Sequence, residues 1–145
     1  MKKIISYLTE NQLFKILLKC IAPVVAIAIW ILSAQSTLPE IKGIFGWDKM
    51  QHLFAYAVLA TGVVCWFPYA RWNTRPLQLL LLSAGIASFY GISDEVHQYF
   101  VEGRYSSIYD WIADTIGAFI GAWICICARK RGQKMRYEGI ANSEQ

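Results

Sequence analysis

Three acidic residues each have a polar partner four positions further on: Asp48 with His52, Asp94 with Gln98, and Asp110 with Asp114. A four-residue spacing puts both side chains on one face of a helix. Asp48 and His52 set a carboxylate one turn from an imidazole, an arrangement that orients the ring for use as a general base or a metal ligand. Asp94 is followed directly by Glu95, with His97 and Gln98 in the same turn, which makes a second acidic centre. Asp110 and Asp114 make a third. Lys49 and Arg104 stand near these acids in the sequence and are suited to hold an anionic group.

Two of the pairs also have a plainer explanation in part. Asp48 with Gln51, and Ser107 with Asp110, form capping-box patterns, where a cap contributes about 1 kcal/mol. Capping covers Asp48, Gln51 and Asp110 but leaves His52 unexplained. It does not account for Asp94 and Glu95 either, because they close an apolar run at the end where the helix dipole disfavours anions. Asp114 lies a full turn inside the next run, with no further charge before Arg129. An ionisable group inside a span points to a functional site and calls for a partner; Arg104, His52 and Lys49 are the candidates. A purely structural buried ion pair is the alternative.

Four apolar runs must position these residues: 16–34, 52–70, 77–93 and 111–128. A hydrocarbon core of about 30 Å needs roughly 17–25 residues per spanning helix. The chain has 145 residues, 56% of them hydrophobic and 17% charged, so four such runs leave no soluble shell to bury them. The expected fold is all-α, an integral membrane bundle of four transmembrane helices with both termini cytoplasmic. Residues 1–15 form an N-terminal interfacial segment, 16–128 the four-helix domain, and 129–145 a basic cytoplasmic tail. The first run begins too late, and ends too poorly for cleavage, to be a signal peptide, so it is retained.

Basic residues set the orientation. Lys2, Lys3, Lys15, Lys19, Arg71, Arg75, Arg129, Lys130, Arg131, Lys134 and Arg136 fall on one side, against Lys42, Lys49 and Arg104 on the other. The positive-inside rule makes the richer side cytoplasmic and the acidic pairs extracytoplasmic. The tail then anchors the topology against anionic membrane lipid, and its lack of interleaved aromatics argues against nucleic acid as a partner. Cys20, Cys65, Cys125 and Cys127 lie in the cytoplasmic halves of their helices and suit neither an external disulfide nor a structural zinc. Gly117 and Gly121 form a G-x-x-x-G that should let the fourth helix approach another helix of the same chain closely, with homodimerisation as the lesser alternative. Gly103 is the expected positive-φ point of the last external loop.

Together these residues carry a resemblance. Asp48-Lys49-x-x-His52-x-x-x-Tyr56, Asp94-Glu95-x-x-Gln98-x-x-x-x-Gly103-Arg104, and Asp110-x-x-x-Asp114-x-x-Gly117-Ala118-x-x-Gly121 are similar to motifs of the VanZ-like family of small bacterial membrane proteins. Ser33-x-Gln35-Ser36 resembles that family's S-x-Q-S segment, and Asp114 stands where the family often has Asn. The resemblance implies a four-helix protein of the bacterial cell membrane, in a family whose founding member is linked to teicoplanin resistance.

Three functions compete. One is a membrane enzyme acting at the outer leaflet on a lipid-linked or cell-wall-related substrate. Its candidate residues are Asp48, His52, Asp94, Glu95, Arg104 and Asp114, supported by Lys49, Gln98 and Asp110; no H-E-x-x-H or G-x-S-x-G motif accompanies them. The second is a non-enzymatic protein whose polar cluster closes the bundle or docks a partner or lipid headgroup. The third, a transporter, would want polar residues at mid-membrane, where only Thr61, Ser83 and Ser88 stand.

Overall fold

The computed structural model describes residues 12–36 and 46–141. Most of the expected interfacial segment, residues 1–11, and the loop around Pro39 and Gly43 lie outside the described residues. Five helices follow in order: α1 (Gln12–Ser33), α2 (Trp47–Val64), α3 (Tyr69–Thr74), α4 (Pro76–Tyr99) and α5 (Ile108–Ala141). No strand occurs among the described residues. The four long helices alternate in direction. At one end the last turn of α1 meets the last turn of α4 (Ser33 with Gln98), and the first turns of α2 and α5 meet (Lys49 with Asp110). At the other end Trp66, just past α2, reaches back to Lys19 near the start of α1.

The flanks of this bundle expose large apolar side chains, and beside an apolar core its interior also holds several acids, unlike a soluble domain. Val24, Ile27, Phe54, Leu77, Phe89, Ile112 and Trp123 point outward, while Asp94, Glu95, Gln98, Asp110 and Asp114 are buried. Three helices are long and apolar enough to cross a membrane: α1, α4 and residues 108–132 of α5. α2 is not among them, because Asp48, Lys49, Gln51 and His52 occupy its first two turns.

The expected run of residues 52–70 is not one helix. α2 stops at Val64, where Cys65, Trp66 and Phe67 donate their N–H groups to Gly62, Val63 and Val64 in a tightened last turn. Pro68 then cannot continue the helix and disfavours helical backbone in Phe67. The stretch from Arg71 is not a plain turn either. It belongs to α3, a short helix that buries Trp72 before Pro76 opens α4 at its first position. α5 continues past Cys127 to Ala141 without a break, so the basic segment is helical over that length. Gly103 has φ 81°, as its position suggested.

α1 contains Pro23, which lacks an N–H and so leaves the carbonyl of Lys19 without its helical partner. The indole Nε1 of Trp66 donates to that carbonyl at 2.8 Å. In hydrocarbon, where no water can substitute, such a repair is required. α1 and α2 cross closely one residue earlier, where a Cβ on Gly62 would collide with the Ala22 backbone.

The contact between α2 and α5 is the most extensive in the molecule. Cβ atoms added to Gly117 and Gly121 would run into the carbonyls of Leu53 and Ala57, so the G-x-x-x-G face lies directly on the α2 backbone. Thr61 Oγ1 crosses the same seam to the carbonyl of Gly121 at 3.2 Å. Alanine at position 121 therefore has to separate the helices. Gly121→Ala should lose about 1–3 kcal/mol, read as a lower unfolding temperature of the detergent-purified protein. Gly85→Ala, in open space, should leave that temperature unchanged or slightly higher. Equal losses in the two variants would contradict the packing.

Candidate functional site

The close approach of α2 and α5 fixes which polar residues face each other. Two ion-pair contacts cross the seam, one turn apart. Lys49 Nζ donates to Asp110 Oδ1 at 2.7 Å, and His52 Nδ1 lies 2.9 Å from Asp114 Oδ1. The sequence spacing pointed to Asp48 as the partner of His52, but the imidazole turns to α5 instead. Asp48 is exposed and bonds to the side chain of its neighbour Lys49 at 3.0 Å. Nor does it cap α2, whose N-cap is Gly46 at φ 81° with no side-chain cap bond. Asp114 finds His52 among its three candidate partners, and its carboxylate is completely buried.

α4 brings the second acidic centre to the same end. Gln98 Nε2 donates to Asp94 Oδ2 at 2.9 Å, so this four-spaced pair forms as expected. Gln98 also lies 3.4 Å from Ser33 Oγ at the end of α1 and accepts from Arg104 Nη2 at 3.3 Å. Arg104 thus reaches Asp94 through Gln98. Glu95 Oε2 accepts the backbone N–H of Ser107 at 2.8 Å. In a capping box the acid three residues into the helix would take that N–H. Here Asp110 is engaged by Lys49, and Glu95 of the neighbouring helix takes the position. Ser107 Oγ caps α5 by accepting the N–H of Tyr109 at 3.3 Å. The N-terminal dipole of α5 therefore supports an acid that the C-terminal dipole of α4 opposes.

Four elements thus contribute to one cluster, and several of its atoms have no partner. Asp94 Oδ1, Glu95 Oε1, Asp114 Oδ2 and Tyr56 Oη are buried with no hydrogen bond among the described residues. Each unmet buried acceptor costs about 1–3 kcal/mol, and more when ionised. The ligand atoms of His52, Glu95 and Asp114 lie within 4.8 Å of one another, so α2, α4 and α5 each aim one metal-competent group at a common point. Gly91 makes room for this, since a Cβ there would stand 2.9 Å from Asp114 Oδ2.

Of the residues singled out by spacing, His52, Asp94, Glu95, Gln98, Asp110, Asp114, Lys49 and Arg104 come together; Asp48 stands at the rim. Tyr56, Ser33 and Gly91 carry no charge and escaped assignment, although Tyr56 follows His52 by four residues. Its ring is parallel to the imidazole, with centroids 6.4 Å apart. His97 instead stacks on Trp30 at 3.9 Å. A crevice of about 100 Å³ lined by Ala22, Leu59, Val63 and Tyr90 is wholly apolar and lies apart from the acids.

The family model described as VanZ/LLP1 matches residues 3–129 of the chain. No curated protein and no solved structure matches it.

The His52–Asp114 contact should show up as coupling. His52→Leu leaves Asp114 buried with neither oxygen partnered and should cost about 3–5 kcal/mol in equilibrium unfolding in mixed micelles. Adding Asp114→Asn to His52→Leu should recover part of that loss. A double variant less stable than the single one would rule the contact out.

Proposed function

We propose that this chain, which belongs to the VanZ/LLP1 family, binds a lipid-linked, cell-wall-related substrate at the outer leaflet of the bacterial cell membrane and acts on it by acid–base chemistry. The observation that carries this reading is the convergence of buried, unpartnered carboxylate oxygens with an imidazole at one end of an apolar bundle. Charge buried there costs stability, and a ligand that completes the cluster accounts for its retention. His52 with Asp114 is the proton-transfer pair, and Asp94 with Glu95 is the second acidic centre. Lys49 and Arg104 hold an anionic headgroup, and Asp48 at the rim tunes Lys49. The excess of Lys and Arg at the opposite end supports the outward setting, with membrane lipid around the spans. The family resemblance links the site to glycopeptide response and teicoplanin in particular.

A second reading rests on a specific observation. Lys49–Asp110, Glu95–Ser107 and Gln98–Ser33 tie all four long helices together, so the cluster could serve only to close the bundle. Single exchanges separate the two. In cells expressing Asp94→Asn or Arg104→Ala, the enzyme reading expects membrane abundance within about twofold of wild type and teicoplanin susceptibility at the level of cells without the protein. Asp48→Asn should give the mildest change. Loss of folded protein in every variant would leave the structural reading standing.

A further inference from the structure

The geometry points to a divalent transition-metal site formed by His52, Glu95 and Asp114. The inference concerns what completes the cluster and stands whatever the substrate is.

Charge is the first argument. Asp94, Glu95, Asp110 and Asp114 are all buried. Lys49 pairs with Asp110, and Gln98, a neutral amide, meets Asp94. Glu95 and Asp114 have no lysine or arginine within ion-pair distance among the described residues. One dipositive ion balances those two carboxylates and lets His52 bind as neutral imidazole.

Unmet valence is the second. Glu95 is 7% exposed and Asp114 is 0% exposed, yet among the described residues Glu95 Oε1 and Asp114 Oδ2 meet no donor within hydrogen-bond distance, although the Ser106 hydroxyl stands near the Glu95 carboxylate. Their remaining oxygens are held, Glu95 Oε2 by the Ser107 N–H and Asp114 Oδ1 by His52 Nδ1. Both carboxylates are therefore fixed in place with one atom free, as expected of oriented metal ligands. The three donor atoms lie within 4.8 Å of one another. Ligands about 2.1 Å from a shared zinc stand closer together than that, and side-chain adjustment at three helix positions can close the gap. Gly91 keeps a methyl group out of the space beside Asp114.

The donor set names the class of ion. One imidazole and two carboxylates suit zinc or manganese; an all-oxygen set would suit calcium or magnesium, and thiolates would suit copper(I). Three protein ligands leave a coordination position open, the hallmark of a site that takes a water or a substrate oxygen. Binding requires unprotonated ligands, so uptake displaces any proton that the three ligand groups carry.

The test uses the detergent-purified full chain, stripped with a chelator and titrated with zinc or manganese chloride alone. Wild type should retain about one ion per chain after buffer exchange, with a rise in unfolding temperature and proton release. His52→Ala, Glu95→Gln and Asp114→Asn should each weaken binding at least about tenfold, while Glu102→Gln, which removes an exposed loop carboxylate, should not. Retention no greater than in the three variants, or equal loss in Glu102→Gln, overturns the site. If the variants do not accumulate, wild type loaded with cobalt(II) carries the test. Visible absorption bands of low-coordinate cobalt are expected, and the spectrum of the free aqueous ion overturns the proposal. Metal binding with unchanged teicoplanin response in the ligand variants would sink the substrate reading and leave the metal site intact. The reverse result would do the opposite.

Discussion

The contact that the rest of the molecule depends on is the seating of Gly117 and Gly121 against the carbonyls of Leu53 and Ala57. In an apolar solvent the helices gain nothing from burying leucine, so close backbone approach and hydrogen bonds across the seam hold them together. That approach also sets the register between α2 and α5. Two glycines one turn apart make one flat strip, and the same strip carries Asp114 and Asp110 one and two turns nearer the helix start. Once the glycines are seated, Lys49 faces Asp110 and His52 faces Asp114. Packing and electrostatics are thus consequences of one choice of residues.

The acids of α4 show how the bundle manages charge placed against its own dipole. Glu95 sits in the last turns of α4, where exposed carbonyls repel it, but it accepts the Ser107 N–H at the head of α5. The neighbouring helix begins where this one ends, and its dipole offsets the unfavourable one. Asp94 is held by Gln98, which also reaches Ser33 and Arg104. Among the described residues, these bonds leave unmet single oxygens of Asp94, Glu95 and Asp114 and the Tyr56 hydroxyl, with His97 Nδ1 and Ser83 Oγ also unpartnered on the same helix as Asp94. The carboxylate oxygens and the Tyr56 hydroxyl define where a ligand would have to bind.

Much of this was legible in the sequence because charge in an apolar run is conspicuous. Asp114 and the Asp94-Glu95 pair stood out as acids that capping could not explain, and the G-x-x-x-G announced a close contact within the chain. The pairing was legible only in part: Asp94 does meet Gln98, and His52 was one of three partners open to Asp114. Four-residue spacing pointed His52 at Asp48, but helical neighbours compete with partners on other helices, and a buried carboxylate without an alternative wins over an exposed one. Tyr56 and Ser33 were legible only as positions in the family-like motifs, and Gly91 not at all, for a related reason. An uncharged side chain in an apolar run looks like packing until the facing helix is known. The run of residues 52–70 misled because hydropathy does not register the break that Pro68 imposes, and α2 carries more polar residues in its head than a spanning helix usually does.

The most direct measurement of the α2–α5 register is chemical crosslinking in native membranes. In a chain whose four cysteines are replaced by serine, Lys49→Cys and Asp110→Cys are combined and treated with a short thiol-to-thiol reagent. Met50→Cys with Asp110→Cys is the comparison, since Met50 points outward from α2. The account predicts rapid intramolecular crosslinking of the first pair and little of the second. Equal rates for the two pairs, or crosslinking only between separate chains, would contradict the register on which the cluster rests.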